Sequence, residues 1–185
     1  MTSGDVIRPG VLIGGRERRR IEIVDYDHHW PVRFREHAER IQRALGPRAR
    51  RVDHIGSTSV PGLAAKPVVD VLVQVRDPED EFAYVPPLLR AGYEMRVREE
   101  GHRMLRTPER DVHLHVCEAG SDWAYRHLVF RDWLRLDATD RRAYEQLKRD
   151  LAQREWADMN DYAQAKTAFV AEATSRAEAW ALATF

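Results

Sequence analysis

"HIGSTSVPGLAAKPVVDVLVQV", running from His54 to Val75, holds an apolar run at each end and a small-residue loop between them. The second run, "VVDVLVQV", is apolar on both parities, the pattern of a central strand covered on both faces. On such a strand Asp70, Leu72 and Gln74 point one way, and Val69, Val71 and Val73 the other. An ionised carboxylate at the head of a buried strand is costly unless it is paired or binds metal. The loop "GSTSVPG" offers Gly56 for close backbone approach and Ser57, Thr58 and Ser59 as a row of hydroxyls. A turn leading into a helix N-terminus presents free N–H groups to an anion, so the loop reads as a phosphate cradle. The bland alternative is an ordinary strand-to-helix turn. The spacing is not that of a Walker A loop, because Gly62 comes late and Lys66 stands apart from it.

Downstream, "DVHLHV" repeats the pattern. Val112, Leu114 and Val116 form an apolar side, while His113, His115 and Cys117 share the other. If this strand joins the same sheet, Asp70, His113 and His115 gather near the Gly-Ser loop as a metal site, with Asp70 and His115 as the residues of the reaction. His54, just before the loop, either contacts phosphate, acts as a base, or holds the loop's shape. Cys117 reads as a small buried residue.

Further out, "WPVRFREHAERIQRALG" has Trp30, Phe34, His37, Ile41 and Leu45 at helical steps and ends at Gly46-Pro47. "RRVDHI" is a strand, and "IEIVDYD" alternates as a short one. "VPGLAAKP" has room for two helical turns at most. "PEDEFAYVPPLLRAG" is a helix disturbed at Pro86-Pro87. "YEMRVR", "HRMLRT" and "DVHLHV" are three strands, with "TPERD" as the hairpin turn of the last two. From Ser121 the signal is helical: "SDWAYRHLVFRDWLRL", "DRRAYEQLKRDLAQR" and "DYAQAKTAFVAEATSRAEAW", the last with Tyr162, Phe169, Ala173 and Trp180 in one stripe. This is an α+β domain over residues 21–185 with a C-terminal helical layer, behind a flexible lead-in of residues 1–20.

The 185 residues suit one domain. The 30 basic and 30 acidic residues cancel, which speaks against a dedicated nucleic-acid or membrane-surface protein. The basic run "RERRR", Arg16–Arg20, reads as a solvated arm. One cysteine excludes an intrachain disulfide and a cysteine zinc cluster. There is no apolar run of membrane-spanning length and no signal-peptide core near the start, so the expected location is cytoplasmic. Only three lysines occur, Lys66, Lys148 and Lys166.

These motifs, with "HLHV", "RHLVFRDWLR", "YEQLKRDLA" and "YAQAKTAFV", resemble the GrpB family over residues 22–175. The family looks like a branch of the nucleotidyltransferase superfold, with a mixed β-sheet and flanking helices, also seen in aminoglycoside nucleotidyltransferases and polymerase beta-type enzymes. GrpB-like domains also occur fused to dephospho-coenzyme A kinases. The resemblance implies that Gly56 and Ser57 hold a nucleoside triphosphate such as ATP, aided by Thr58 and Ser59. It implies that Asp70 is the first metal-binding acid. The reaction is then attack of an acceptor hydroxyl on the α-phosphate, with a divalent metal, Mg²⁺ or Mn²⁺, neutralising charge. Lys66, Lys148, Lys166 and Arg131 are the phosphate-binding cations.

One position departs from that template. Its second acid falls at position 72, where this chain has Leu72, and the third falls at His113 or His115. One carboxylate and two imidazoles suit zinc, manganese or iron better than magnesium. Glu118 is a replacement carboxylate by sequence position alone. Three functions follow: a nucleotidyltransferase acting on a small-molecule or protein acceptor, a non-catalytic module binding a nucleotide or a coenzyme A-like ligand, and metal-dependent hydrolysis or phosphoryl transfer.

Overall fold

A computed structural model describes residues 11–15, 20–156 and 159–184. Its strands are β1 (Val11–Leu12), β2 (Arg51–Ile55), β3 (Val69–Val75), β4 (Glu94–Glu99), β5 (His102–Arg106) and β6 (Val112–Glu118). Its helices are α1 (Trp30–Leu45), α2 (Glu81–Arg90), α3 (Asp122–Leu136), α4 (Ala138–Ala152), α5 (Met159–Gln164) and α6 (Thr167–Thr184). The strands form one sheet in the order β1-β4-β5-β6-β3-β2. Only the β3–β6 pair is parallel among the described strands, and the others are antiparallel. The architecture is the expected α+β one, a mixed sheet with helices on its faces and a C-terminal helical layer.

The valine-rich β3 is buried almost end to end, because both of its faces are covered. On one face Val69, Val71, Val73 and Val75 meet Val112, Leu114 and Val116, under Trp30, Ile41 and Leu45 of α1 and Tyr84 and Leu88 of α2. On the other face Leu72 and Cys117 pack with Ile55 and with Ala124 of α3. A third cluster, Val60, Leu63, Leu134 and Tyr144, ties the loop after β2 to α3 and α4. The sheet therefore presents two different sides. One is sealed by apolar packing, and the other carries the polar residues at the head of β3.

Several local expectations are corrected. "IEIVDYD" makes only an isolated bridge, Val24 with Ala65. Its partner segment lies between Pro61 and Pro67, which lack the N–H groups that would extend a ladder. No α-helix follows the Gly-Ser loop. Ser57–Ser59 form a single 3₁₀ turn, and the chain then runs irregularly to β3. The loop thus has no helix dipole behind it. α2 runs through Pro86 and Pro87 without a break. The last helical stripe is divided between α5 and α6. Within the lead-in, Val11 and Leu12 add an edge strand to β4, and the Arg96 guanidinium donates to the carbonyls of Ile13 and Gly15. Arg16–Arg19 of the basic run lie outside the described residues.

Candidate functional site

The parallel pairing of β3 with β6 puts Asp70 beside His113 and Leu72 beside His115. Since neighbours two apart share a face, Asp70, His113 and His115 project together. Asp70 Oδ1 lies 3.5 Å from His113 Nδ1 and 3.4 Å from His115 Nε2. One donor atom from each of the three residues falls within 4.8 Å of the others. A tetrahedral zinc with bonds of ~2.0–2.1 Å holds its ligand atoms roughly 3.3 Å apart, so the two separations from Asp70 suit a cation of that size and class. Burial raises the Asp70 carboxyl, but the His113 and His115 imidazoles beside it outweigh that and hold the group well below the usual carboxylate range. Glu118 cannot join them. It stands at the far end of β6, beside Val75, and on the opposite parity.

Gly56 presses against this carboxylate. Its φ of 69° and ψ of −175° lie in a region almost confined to glycine. A Cβ there would come within 2.4 Å of Asp70 Oδ2. Gly56 and Ser57 are half-buried, whereas Thr58 and Ser59 are buried. Thr58 Oγ1 pairs with His54 Nε2 at 3.0 Å, and Ser59 Oγ donates to the Gly56 carbonyl at 2.6 Å. Both hydroxyls therefore shape the turn from within. His54 is stacked on Phe34 with ring centroids 4.7 Å apart. Burial, opposed by Asp70 and aided by Arg135 and Arg131, pushes its imidazole down to about 4. His54 is a neutral support of the loop.

Arg131 approaches the loop from behind. Its guanidinium donates to the His54 carbonyl at 3.1 Å and pairs with Asp132 at 2.8 Å. Arg135 donates to the Ser59 carbonyl at 2.8 Å. Two arginines of α3 thus fix the backbone of the turn.

The three lysines come together from α4, the α5–α6 turn and the loop before β3. The Lys66 and Lys166 ammonium groups lie 5.1 and 4.6 Å from the centre of the Tyr162 ring. Lys148 lies 4.9 Å from the Tyr144 ring and donates to the Ala64 carbonyl, while the Ala64 N–H donates to Glu145. Burial, then the neighbouring Lys166, pushes Lys148 down to about 7, with Glu145 opposing. Burial and Lys66 push Lys166 down to about 8, with Asp70 opposing. Burial and Tyr162 push the Tyr144 hydroxyl up, and the neighbouring Ser57 of the Gly-Ser loop opposes them.

Three residues at the site were not singled out from sequence. His102 on β5 faces His115, with Nε2 3.1 Å from His115 Nδ1. Glu99 reaches His102 Nδ1 at 3.0 Å. The Trp123 ring lies over His102, His115 and His127 at 4.6, 5.4 and 3.6 Å between centroids. The parity of "HRMLR" held a signal for His102, because antiparallel pairing with β6 aligns it with Cys117 on the histidine face.

The GrpB protein family model matches residues 20–176. The chain belongs to the GrpB family. Among its GrpB relatives is a UPF0157 protein of Streptomyces coelicolor, 52% identical over 168 residues that cover 91% of this chain and 90% of that protein. The crystal structure of the conserved protein GrpB from Enterococcus faecalis superposes with a TM-score of 0.75 at 33% identity, covering 86% of this chain and 99% of that one. A dephospho-CoA kinase of Mycolicibacterium paratuberculosis is 31% identical over 193 residues, covering 89% of this chain but 47% of that protein. Among the described residues of this GrpB chain, no helix is long and apolar enough to cross a membrane.

Proposed function

We propose that this GrpB protein is a metal-assisted nucleotidyltransferase that moves a nucleoside monophosphate from a nucleoside triphosphate to a hydroxyl of a small-molecule or protein acceptor. The observation that carries the reading is the packing of the Gly56–Ser57 turn onto the Asp70 carboxylate, beside His113 and His115. A turn suited to phosphate and a donor set suited to a divalent cation meet at one point. The donor set of one carboxylate and two imidazoles suits zinc, manganese or iron(II), and Leu72, fully buried, leaves magnesium without its second acid. When bound, such an ion would neutralise phosphate charge as it develops.

The chain's own residues supply the rest. Asp70, His113 and His115 would hold the ion. The half-buried Gly56 and Ser57 would face the phosphates. Lys66 and Lys166, set on one aromatic ring, are like charges that an anion between them would relieve. In the transfer the acceptor oxygen forms a bond to the α-phosphorus as its proton leaves. The bond from that phosphorus to the bridging oxygen breaks, and pyrophosphate departs with the electron pair. No general base is assigned, since His54 is turned into the loop.

A second reading is a module that binds a nucleotide or coenzyme A-like ligand without turnover. Leu72 favours it, and so does the match to a protein named dephospho-CoA kinase. The test is a thermal-shift screen crossing ATP, GTP, CTP, UTP and coenzyme A with Mg²⁺, Mn²⁺ and Zn²⁺, followed by a pyrophosphate-release assay. A ligand that binds only the native state raises the melting temperature. The transferase reading expects a metal-dependent nucleotide shift, lost in Asp70→Ala, together with pyrophosphate release. A shift without release supports the binding module. No shift with any triphosphate removes the transferase reading.

A further inference from the structure

We infer that Glu99 and His102 form an outer relay that fixes the proton of His115 on Nδ1, so that its Nε2 lone pair is aimed at the cation position beside Asp70. The inference rests on the metal site proposed above. Four groups lie in a row: the Glu99 carboxylate, the His102 ring, the His115 ring and the Asp70 carboxylate. The links are 3.0 Å from Glu99 Oε2 to His102 Nδ1, 3.1 Å from His102 Nε2 to His115 Nδ1, and 3.4 Å from His115 Nε2 to Asp70 Oδ1.

The direction follows from what each group can do. An ionised carboxylate only accepts, so His102 Nδ1 must carry a hydrogen toward Glu99. A neutral His102 then offers Nε2 as an acceptor, and His115 must donate to it from Nδ1. His115 is left with a bare Nε2 that faces a carboxylate oxygen. Two acceptors facing each other repel, and a cation between them turns the repulsion into ligation. Metal-bound histidines commonly donate their other ring nitrogen to an outer partner in this way, which sets both the tautomer and the ring direction.

Packing holds the relay in place. The His102 and His115 rings are nearly parallel, 15° apart, and Trp123 lies over both. His102 itself is buried at 8% exposure. The hairpin between β4 and β5 places Glu99 and His102 as paired residues at its turn. His102 and Glu99 are therefore positioning residues, since neither touches the cation position.

Two measurements test this. First, long-range ¹⁵N–¹H spectra of the metal-free protein report the tautomer of His115. A hydrogen on Nδ1 in wild type is expected, with a mixture in Glu99→Gln. A hydrogen on Nε2 in wild type overturns the relay. Second, Zn²⁺ and Co²⁺ titrations are followed by calorimetry and by the Co²⁺ visible spectrum. Loss of an outer partner weakens metal affinity by about 10- to 100-fold. We expect a loss in that range for His102→Ala and a several-fold loss for Glu99→Gln, whose side chain is half exposed and which should fold as wild type does. His102→Gln can place an amide oxygen where Nε2 stood and should recover most of the affinity. Wild-type binding with both His102→Ala and Glu99→Gln within twofold of it overturns the relay alone. Failure of wild type to bind either ion overturns the metal reading and the relay with it.

Discussion

Gly56 carries two separate demands. Its backbone sits where other residues are strained, and its missing Cβ leaves room for Asp70 Oδ2. Gly56→Ala is expected to lower stability by about 1–3 kcal/mol from the backbone alone, with more from the displaced carboxylate. Urea unfolding measures the first, and Zn²⁺ affinity reports the second. Lys148 makes a different kind of test. It is 2% exposed, and its folded pKa of about 7 lies below its unfolded value of 10.5. Between those values the unfolded chain binds more protons, so this group's contribution makes stability rise as pH rises from about 7 to about 10. Below pH 7 the lysine is charged in both states and its burial cost is fully present. Lys148→Met removes this dependence. The stability of wild type relative to the variant should therefore increase across that window in denaturant titrations at stepped pH.

At the scale of elements, β3 under α3 shows why the template's second acid cannot simply be restored. Leu72 is fully buried among Ile55, Cys117 and Ala124. Leu72→Asp would bury a carboxylate in an apolar cluster, and the expected cost is about 3–5 kcal/mol. We expect a lower melting temperature and no gain in Mg²⁺ binding. A variant that keeps wild-type stability and binds Mg²⁺ would place Leu72 at the ion after all. The same pair of elements shows what sequence could disclose. The both-faces apolar pattern of "VVDVLVQV" and the alternation of "DVHLHV" were enough to place Asp70, His113 and His115 on strand faces. Periodicity could not show that the loop after Ile55 lacks a helix, since Pro61 and Pro67 bracket a segment too short to show a period. It also could not show the pairing of Glu99 with His102, because that depends on the β4–β5 register.

Across the whole molecule the sheet is divided in function. The candidate site occupies β2, β3, β5 and β6, while β1 closes the opposite edge. Arg96 fastens that edge through the carbonyls of Ile13 and Gly15. Hydrogen bonds to a charged donor are worth about 1.5–3 kcal/mol each. Arg96→Ala should speed amide exchange at Ile13 by at least about tenfold, while exchange in β3 and β6 and Zn²⁺ affinity stay as in wild type. A fall in Zn²⁺ affinity would show that the two edges are coupled. The sequence read as a lead-in without structure here, because two residues of strand are too few to show alternation. The helical layer was legible as helices but not as a division between α5 and α6, since one apolar stripe runs through both.

The parallel β3–β6 pair has a consequence for the order in which the chain acquires its chemistry. Asp70 is synthesised well before His113 and His115, with α2, β4 and β5 between them. β2 and β3 can form their hairpin-like pair early, and it holds Asp70 and His54 but neither His113 nor His115. Parallel partners are joined through distant sequence and are slow to find each other, because loop closure must precede the contacts that reward it. A register slip of one residue would turn both histidines to the apolar face. On the metal site proposed above, the donor set would stay incomplete until the register between Asp70 and His113 is set, and cation capture would be a late event that locks a correctly threaded sheet.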